Sequence, residues 1–242
     1  MKSLRRPARF ILFVVAGLFA VSFFLKDNLP RRTVLLETLL QDPVQTDIDL
    51  PGPFEVSRKG VTYTVTPFFN YELWGMIVSY HHANSFVDIS HKMWNDYVNA
   101  KDICVIWGKN IETAVYSRMK FKNRDFTCFY SYPDEATGKI FTENCLSNNH
   151  ILPADSLVAR AVMRARRGDQ VHLKGWLVSY GQKGSPYKRM TSTTRADRGN
   201  GACETIFVTD FEILRRANVE WGFLHSASLI LMIICAAFLL FT

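Results

Sequence analysis

The sequence predicts a mainly β domain that lies between two transmembrane helices. Apolar stretches without any charged residue stand near both ends, at 10–25 and 221–242. Between them, strand-length runs are rich in β-branched and aromatic residues, which is typical of a β domain. A composition of 48% hydrophobic and 21% charged residues excludes a disordered chain, a collagenous chain and a polytopic channel.

The first apolar stretch is predicted to be an uncleaved membrane anchor. It follows four basic residues without an acid, which is typical of a segment that enters the bilayer from the cytoplasm: Lys2, Arg5, Arg6 and Arg9. Ala20 and Ser22 also fit a signal-peptidase site, but the apolar run continues past them to Leu25. We therefore expect a cytoplasmic tail at 1–9 and a transmembrane helix at 10–25.

The second apolar stretch is predicted to return across the membrane. Its 22 residues reach about 33 Å as a helix, enough for a hydrocarbon core of roughly 30 Å. Trp221 would lie at the interface. A helix at 221–241 leaves both termini in the cytoplasm and the domain in the periplasm of a bacterial inner membrane, with membrane lipid as one partner.

Cysteine usage agrees with an oxidising compartment. Four cysteines lie in the middle of the chain, at Cys104, Cys128, Cys145 and Cys203. An even number predicts two disulfides, and of three connectivities we favour Cys104 with Cys128 and Cys145 with Cys203. The cysteines lack the close C-x-x-C spacing of zinc sites, so no metal and no cofactor are predicted.

The middle of the chain is divided into a stalk and a domain. Residues 26–60 contain four prolines and one short amphipathic segment, Thr33–Leu40, which predicts a stalk with a short helix. The domain is placed at 61–216. Its predicted strands are 61–65, 71–80, 103–107, 126–130, 171–180 and 205–214.

One helix is predicted between the third and fourth strands of the domain. Pro153 suits its first turn, Asp155 its positive end, and Gly168 its left-handed termination. The spacing places apolar residues on one face, at Leu157, Val158, Ala161, Val162 and Ala165. The opposite face carries Arg160, Arg164 and Arg167, so the helix is expected to pack by one side and expose cations on the other.

Two segments with a central glycine, 73–80 and 173–180, share five of eight residues. Gly75 and Gly175 predict bulges where long strands bend around a small barrel. In chain order, the domain has a bent strand, two further strands, the helix, a second bent strand and a last strand. This order resembles the OB fold. Segments 167–178 and 207–214 are similar to the last two strands of OB domains. The resemblance implies an OB-like five-stranded barrel with one helix between the third and fourth strands.

Two further segments, 147–154 and 191–204, resemble motifs of uncharacterised bacterial membrane-anchored proteins. That resemblance implies no activity. His150, in the first segment, is expected to tie the turn before the helix by hydrogen bonds.

Charge is concentrated in one part of the domain. Residues 158–198 contain ten basic residues against two acids, which predicts an anionic partner unless the face is merely solvated. We therefore predict a non-catalytic binding or assembly subunit that docks an integral or periplasmic protein, with a homo-oligomer also open. The expected contact residues are Arg160, Arg164, Arg167, Arg195, Asp197, Arg198 and Glu204. A periplasmic location makes nucleic acid the less favoured partner.

Three alternatives stay open. A hydrolase could use His150 as a general base with Glu204 and Arg195, which requires the three side chains to share one cleft. A lipid or small-ligand carrier would need an open apolar cavity in the barrel. A metal site could draw its ligands from four residues whose spacing matches no strong motif, His81, His82, Asp88 and His91.

Overall fold

The computed structural model describes residues 5–47, 49–83, 85, 88–197 and 202–241. It contains two compact units, one formed by Met1–Pro30 with Arg216–Thr242 and one by Arg31–Arg215. The helices and strands in chain order are α1 (Arg5–Leu25), β1 (Val44–Thr46), β2 (Phe54–Arg58), β3 (Val61–His82), α2 (Ser90–Met93), β4 (Lys101–Ile106), α3 (Gly108–Glu112), β5 (Lys120–Arg124), β6 (Thr127–Ser131), α4 (Glu135–Ile140), β7 (Leu146–Pro153), α5 (Ser156–Arg164), β8 (Gln170–Gln182), β9 (Glu204–Arg215) and α6 (Val219–Phe241).

The first unit is a pair of apolar helices. Within the described residues α1 and α6 are the two helices long and apolar enough to cross a membrane, with mean hydropathies of 2.3 and 2.4. The helices are antiparallel: the Arg5 guanidinium donates to the Leu239 carbonyl oxygen at 3.3 Å, and the Phe19 ring stacks on His225 further along α1. The two predicted apolar terminal helices are confirmed, and they are compatible with membrane anchoring.

The second unit is mostly β. Its mixed sheet of seven strands has the order β1-β3-β4-β7-β9-β8, with β2 also paired to β3. Strand β8 pairs again with β3, so β3, β4, β7, β9 and β8 form a partly closed ring of five strands. Strands β7 and β9 are parallel, whereas the other pairs are antiparallel.

Two predicted strands, 61–65 and 71–80, are one long strand in the structure. Strand β3 continues through Pro67, where its pairing with β8 shifts register before Phe69. A proline donates no backbone hydrogen bond, and this irregularity accommodates it within the strand. Gly175 lies at a second register shift, where an added Cβ would be 2.1 Å from the Phe207 carbonyl oxygen. The irregularity predicted at this glycine is present as a register shift, although the extra residue, Thr209, belongs to β9 and not to the strand of Gly175.

The third ring strand differs from the sequence prediction. Segment 126–130 was expected in the barrel, but β6 pairs with β5 in a separate two-stranded hairpin. The ring position belongs to β7, which includes the Ser-Asn-Asn-His segment expected to be a turn before the helix. These polar side chains are buried on a strand, with exposures of 5% or less from Ser147 to His150, which composition alone does not indicate.

The segment predicted as a stalk is part of the β unit. Strands β1 and β2 both pair with β3. Leu39 is fully buried and Leu35 is 5% exposed, so the amphipathic segment packs its leucines into the body. Burial of two leucine side chains is worth about 3–6 kcal/mol, enough to hold this segment on the sheet.

The predicted helix between β7 and β8 is present as α5. The Asp155 carboxylate caps it by accepting from the Leu157 and Val158 backbone N–H groups at 2.7 and 2.9 Å. Val158 and Val162 are buried in the core, as expected. Leu157, however, is 68% exposed, and the helix ends at Arg164 instead of continuing to Gly168.

The cysteines form one of the two expected disulfides. Cys104 is bonded to Cys128, which ties β4 to the β5–β6 hairpin. Cys145 and Cys203 are free thiols, so the second expected bond is absent. Cys203 precedes Glu204, which pairs with Asn149, and it therefore lies level with Asn148, three residues from Cys145. At about 3.3 Å per residue this separation is about 10 Å, beyond disulfide reach.

Candidate functional site

A cavity of about 670 Å³ lies at the N-terminal ends of β7 and β9. The β5–β6 hairpin and the segment that precedes β9 provide its other walls. Its lining includes His150, Cys203, Phe126, Arg189 and Glu204. Asp102 pairs with His150 across β4 and β7, so these two side chains point to the same face of the sheet.

Asp102 and His150 form a buried ion pair at the base of this cavity. The Asp102 Oδ1 atom is 2.7 Å from His150 Nδ1, and the side chains are 0% and 2% exposed. Oδ1 also accepts from Asn99 Nδ2 at 2.8 Å, and Oδ2 accepts from the Phe126 backbone N–H at 3.1 Å. Burial would raise the pKa of Asp102, but the charge and hydrogen bonds of His150 and Asn99 outweigh it and lower the pKa to about 2. The carboxylate is therefore ionised and fixed in orientation.

His150 lies between Asp102 and Arg189. Burial would lower the pKa of His150, but the charge and hydrogen bond of the Asp102 carboxylate outweigh it and, with a smaller contribution from the nearby Cys203, raise the pKa to about 9. The Arg189 guanidinium opposes this increase, because its Nη1 atom is 2.9 Å from His150 Nε2. Arg189 can donate to Nε2 only while that nitrogen carries no proton. Proton uptake at His150 and the Arg189 contact are therefore mutually exclusive.

Cys203 lines the same cavity as His150. Its sulfur accepts from Asn148 Nδ2 at 3.5 Å, and its S–H group donates to the Phe126 carbonyl oxygen at 3.6 Å. The thiol is partly exposed at the cavity wall. A thiol beside a histidine that is in turn oriented by a carboxylate is the arrangement of an activated nucleophile.

Phe126 holds this arrangement in place with its backbone. It has a φ of 62°, a left-handed conformation that an aromatic side chain rarely adopts. In this conformation its N–H donates to Asp102, and its carbonyl oxygen accepts from Asn148 Nδ2 at 3.0 Å. Strained backbone at such a position favours a functional role for the residues that it contacts.

The residues of the hydrolase alternative do border one cavity, but they are not one catalytic group. His150, Glu204 and Arg195 all line it. Glu204 pairs with Asn149, one residue from His150, so the two side chains point to opposite faces of the sheet. Glu204 binds Arg195 at 2.6 Å. Burial raises the pKa of Glu204 to about 7 against the opposing charge of Arg195. The carboxylate partner of His150 is Asp102.

The residues predicted to dock a partner lie in two places. Arg160 and Arg164 are exposed on α5, and Arg167 follows the helix. None of these three lines the cavity, whereas Arg195, Asp197 and Glu204 do. Arg198 lies outside the described residues.

Three of the four candidate metal ligands meet. The ligand atoms of His81, Asp88 and His91 all lie within 4.8 Å of one another. Both imidazoles contact Asp88 Oδ2, at 2.7 and 2.6 Å. Asn99 Nδ2 is 3.0 Å from His91 Nε2 and donates to it, which assigns the proton of His91 to Nδ1, facing Asp88. The group is therefore satisfied by hydrogen bonds, and a transition metal would have to displace two of these protons.

Sequence reasoning missed Asp102 and the position of Cys203 as a free thiol at the cavity. Asp102 precedes an apolar run and shows no motif, while Cys203 fitted a disulfide. One signal was present in the sequence. His150 and Cys203 lie in the two polar segments, 147–154 and 191–204, that resemble motifs of uncharacterised bacterial membrane-anchored proteins. No known protein family, characterised protein or solved structure matches this chain.

Proposed function

We propose that the protein is a membrane-anchored acyl hydrolase with Cys203 as its nucleophile. The observation that carries the proposal is that the Cys203 thiol and the Asp102-bound imidazole of His150 line one open cavity, at the start of β9 and on the neighbouring strand β7. His150, whose pKa is about 9, holds the thiol proton as an imidazolium beside the Cys203 thiolate and then gives it to the leaving group, and Asp102 orients it and stabilises its charge.

The proposed reaction has two balanced steps. His150 Nε2 takes the thiol proton, the Cys203 sulfur bonds to the acyl carbon, and the leaving group departs with the proton from His150. Water then adds to the thioester and gives one proton to His150. The C–S bond breaks, the acid is released, and that proton returns to sulfur. Asn148 Nδ2, 3.5 Å from the sulfur, is a donor close to the position where the oxyanion develops.

The assay for this proposal is hydrolysis of p-nitrophenyl acetate by the full chain in detergent micelles. We expect a burst of p-nitrophenol and an acetyl group on Cys203 in the peptide map. Acetylation spread over surface lysines, with none on Cys203, would contradict the proposal.

The location and the finer fold are proposals of the same kind. The body is placed in the periplasm of a bacterial inner membrane, with both termini cytoplasmic. The basic residues before the uncharged run at 10–25 and the Cys104–Cys128 disulfide support this location. An OB-type ring is supported by its five strands and by α5, which lies between β7 and β8.

A second proposed function is docking of an acidic protein partner through α5. Arg160 and Arg164 are exposed, and Leu157 and Met163 beside them are 68% and 41% exposed. Apolar side chains interspersed with arginines are typical of protein-binding surfaces. This surface would dock the protein to an integral or periplasmic partner, or to a second copy of the chain.

Charge reversal tests the α5 surface. The triple variant Arg160→Glu, Arg164→Glu and Arg167→Glu is expected to lose co-purifying partners, because like charges would face the acidic partner. The matched control reverses three exposed basic residues of β5, Lys120, Lys122 and Arg124. Equal recovery of partners with both triple variants would reject α5 as the contact.

A further inference from the structure

Arg189 occupies a fixed position over the candidate nucleophile. Its backbone bridges to Tyr180 of β8 through two hydrogen bonds, at 2.8 and 3.0 Å. Its guanidinium lies 4.0 Å from the centre of the Phe126 ring, and its Nη1 atom is 2.9 Å from His150 Nε2. The side chain is half-buried and lines the cavity. Both backbone and guanidinium are therefore held in place.

The charge of Arg189 lacks a counter-anion in the part of the chain that the structure describes. No ion pair within 4.0 Å joins it to a carboxylate there, although the neighbouring Arg195 is paired with Glu204. Its polar partner is the imidazole of His150, and its ring partner is Phe126. A half-buried guanidinium without a carboxylate partner retains its capacity to bind one through two parallel hydrogen bonds.

The position of Arg189 has a consequence for the base. When His150 accepts the thiol proton, an imidazolium faces a guanidinium across the 2.9 Å contact, and both are cations. An anion bound to Arg189 would neutralise one of them and release Nε2 for the thiol proton. Binding of a substrate anion to Arg189 would therefore also favour transfer of the thiol proton to His150.

We propose that Arg189 is the binding site for a carboxylate of the substrate, and that the substrate is an acyl compound with a carboxylate close to the scissile carbonyl. This inference rests on the proposed hydrolase function. It assigns the substrate class of the same cavity.

Two alkylating reagents that differ in charge test the inference. Iodoacetate carries a carboxylate one carbon from its reactive atom, and iodoacetamide is its neutral counterpart. In the full chain, the ratio of Cys203 alkylation rates, iodoacetate over iodoacetamide, is expected to fall at least about tenfold in Arg189→Gln. The control Lys188→Gln should change the ratio by less than about threefold, because an exposed charge is screened by solvent. An equal ratio in the wild type and Arg189→Gln would overturn the proposal.

A measurement on the wild type alone guards against a variant that misfolds. Succinate in excess should slow the iodoacetate reaction at Cys203 more than the iodoacetamide reaction, because it competes for Arg189. Equal slowing of both reactions, or none, would count against the site. Failure of the hydrolase proposal alone gives a different result. The ratio of the two alkylation rates would still depend on Arg189, but neither rate would depend on His150.

Discussion

Replacing Cys203 by alanine is expected to reduce p-nitrophenyl acetate hydrolysis at the cavity to the solvent background, a loss of at least about 10³-fold. The reason is that the substitution removes the atom that bonds to the acyl carbon. His150 and Asp102 would stay paired, because their 2.7 Å contact does not involve the sulfur. Fold and thermal stability should therefore be retained while the burst of p-nitrophenol disappears.

Cys145→Ala is the matched control for this experiment. Cys145 is also a free thiol, but it is buried and lies against Gly108, outside the cavity that Cys203 lines. Hydrolysis should be unchanged within about a factor of two, since the nucleophile is intact. If Cys203→Ala retained the burst, or Cys145→Ala lost it, Cys203 would not be the nucleophile.

Replacing Asp102 by asparagine is expected to have the largest effect on stability. The asparagine amide lacks the negative charge that compensates His150. Its NH₂ group would also face a group that now donates to a carboxylate oxygen, so two hydrogen-bond donors would oppose each other. Removing one partner of a buried pair costs about 3–5 kcal/mol of the free energy of unfolding. Urea denaturation of the full chain in micelles measures this loss.

The pH dependence of that loss follows from the two pKa values. The pKa of His150 is about 9 when folded and about 6.5 when unfolded, so its stabilisation is complete below about pH 6.5 and is lost as the pH rises through 9. The pKa of Asp102 is about 2 when folded and about 3.9 when unfolded, so its stabilisation is present above about pH 3.9 and is lost as the pH falls through 2. The difference between wild type and Asp102→Asn should therefore be greatest between about pH 4 and 6.5.

Glu72→Gln provides the control for Asp102→Asn. Glu72 contacts His172 at the same distance, 2.7 Å, but its side chain is 26% exposed. A pair in contact with solvent is worth about 0–1 kcal/mol, so this variant should stay within that range of the wild type. If the two variants were destabilised equally, burial of the Asp102–His150 pair would not be the cause of the large loss of stability.

The sequence predicts the parts of the fold that depend on local pattern. The apolar terminal helices, the Asp155-capped helix and the irregularity at Gly175 each follow from spacing along a few residues. The Cys104–Cys128 bond is also predicted correctly, but the expected reason is wrong, because Cys128 lies in the separate β5–β6 hairpin and not on a strand next to β4.

The candidate site depends on long-range pairing, which local pattern does not contain. Strand β7 lacks an apolar face, and its Asn148 and His150 are buried only because the β5–β6 hairpin and the segment before β9 cover them. Asp102 and His150 come from two strands and Cys203 directly precedes a third, and the parallel pairing of β7 with β9 places the last two at one cavity. Because the sequence does not reveal that register, it predicts a disulfide between Cys145 and Cys203.

The most direct test of His150 as the base for Cys203 is the rate of Cys203 alkylation by iodoacetamide as a function of pH. It compares the full wild-type chain with His150→Gln. We predict that near pH 6 the wild-type thiol reacts at least about tenfold faster than that of the variant, and that the difference closes above about pH 9, where an ordinary thiol is already ionised. Superimposable pH profiles for the two proteins would contradict the account.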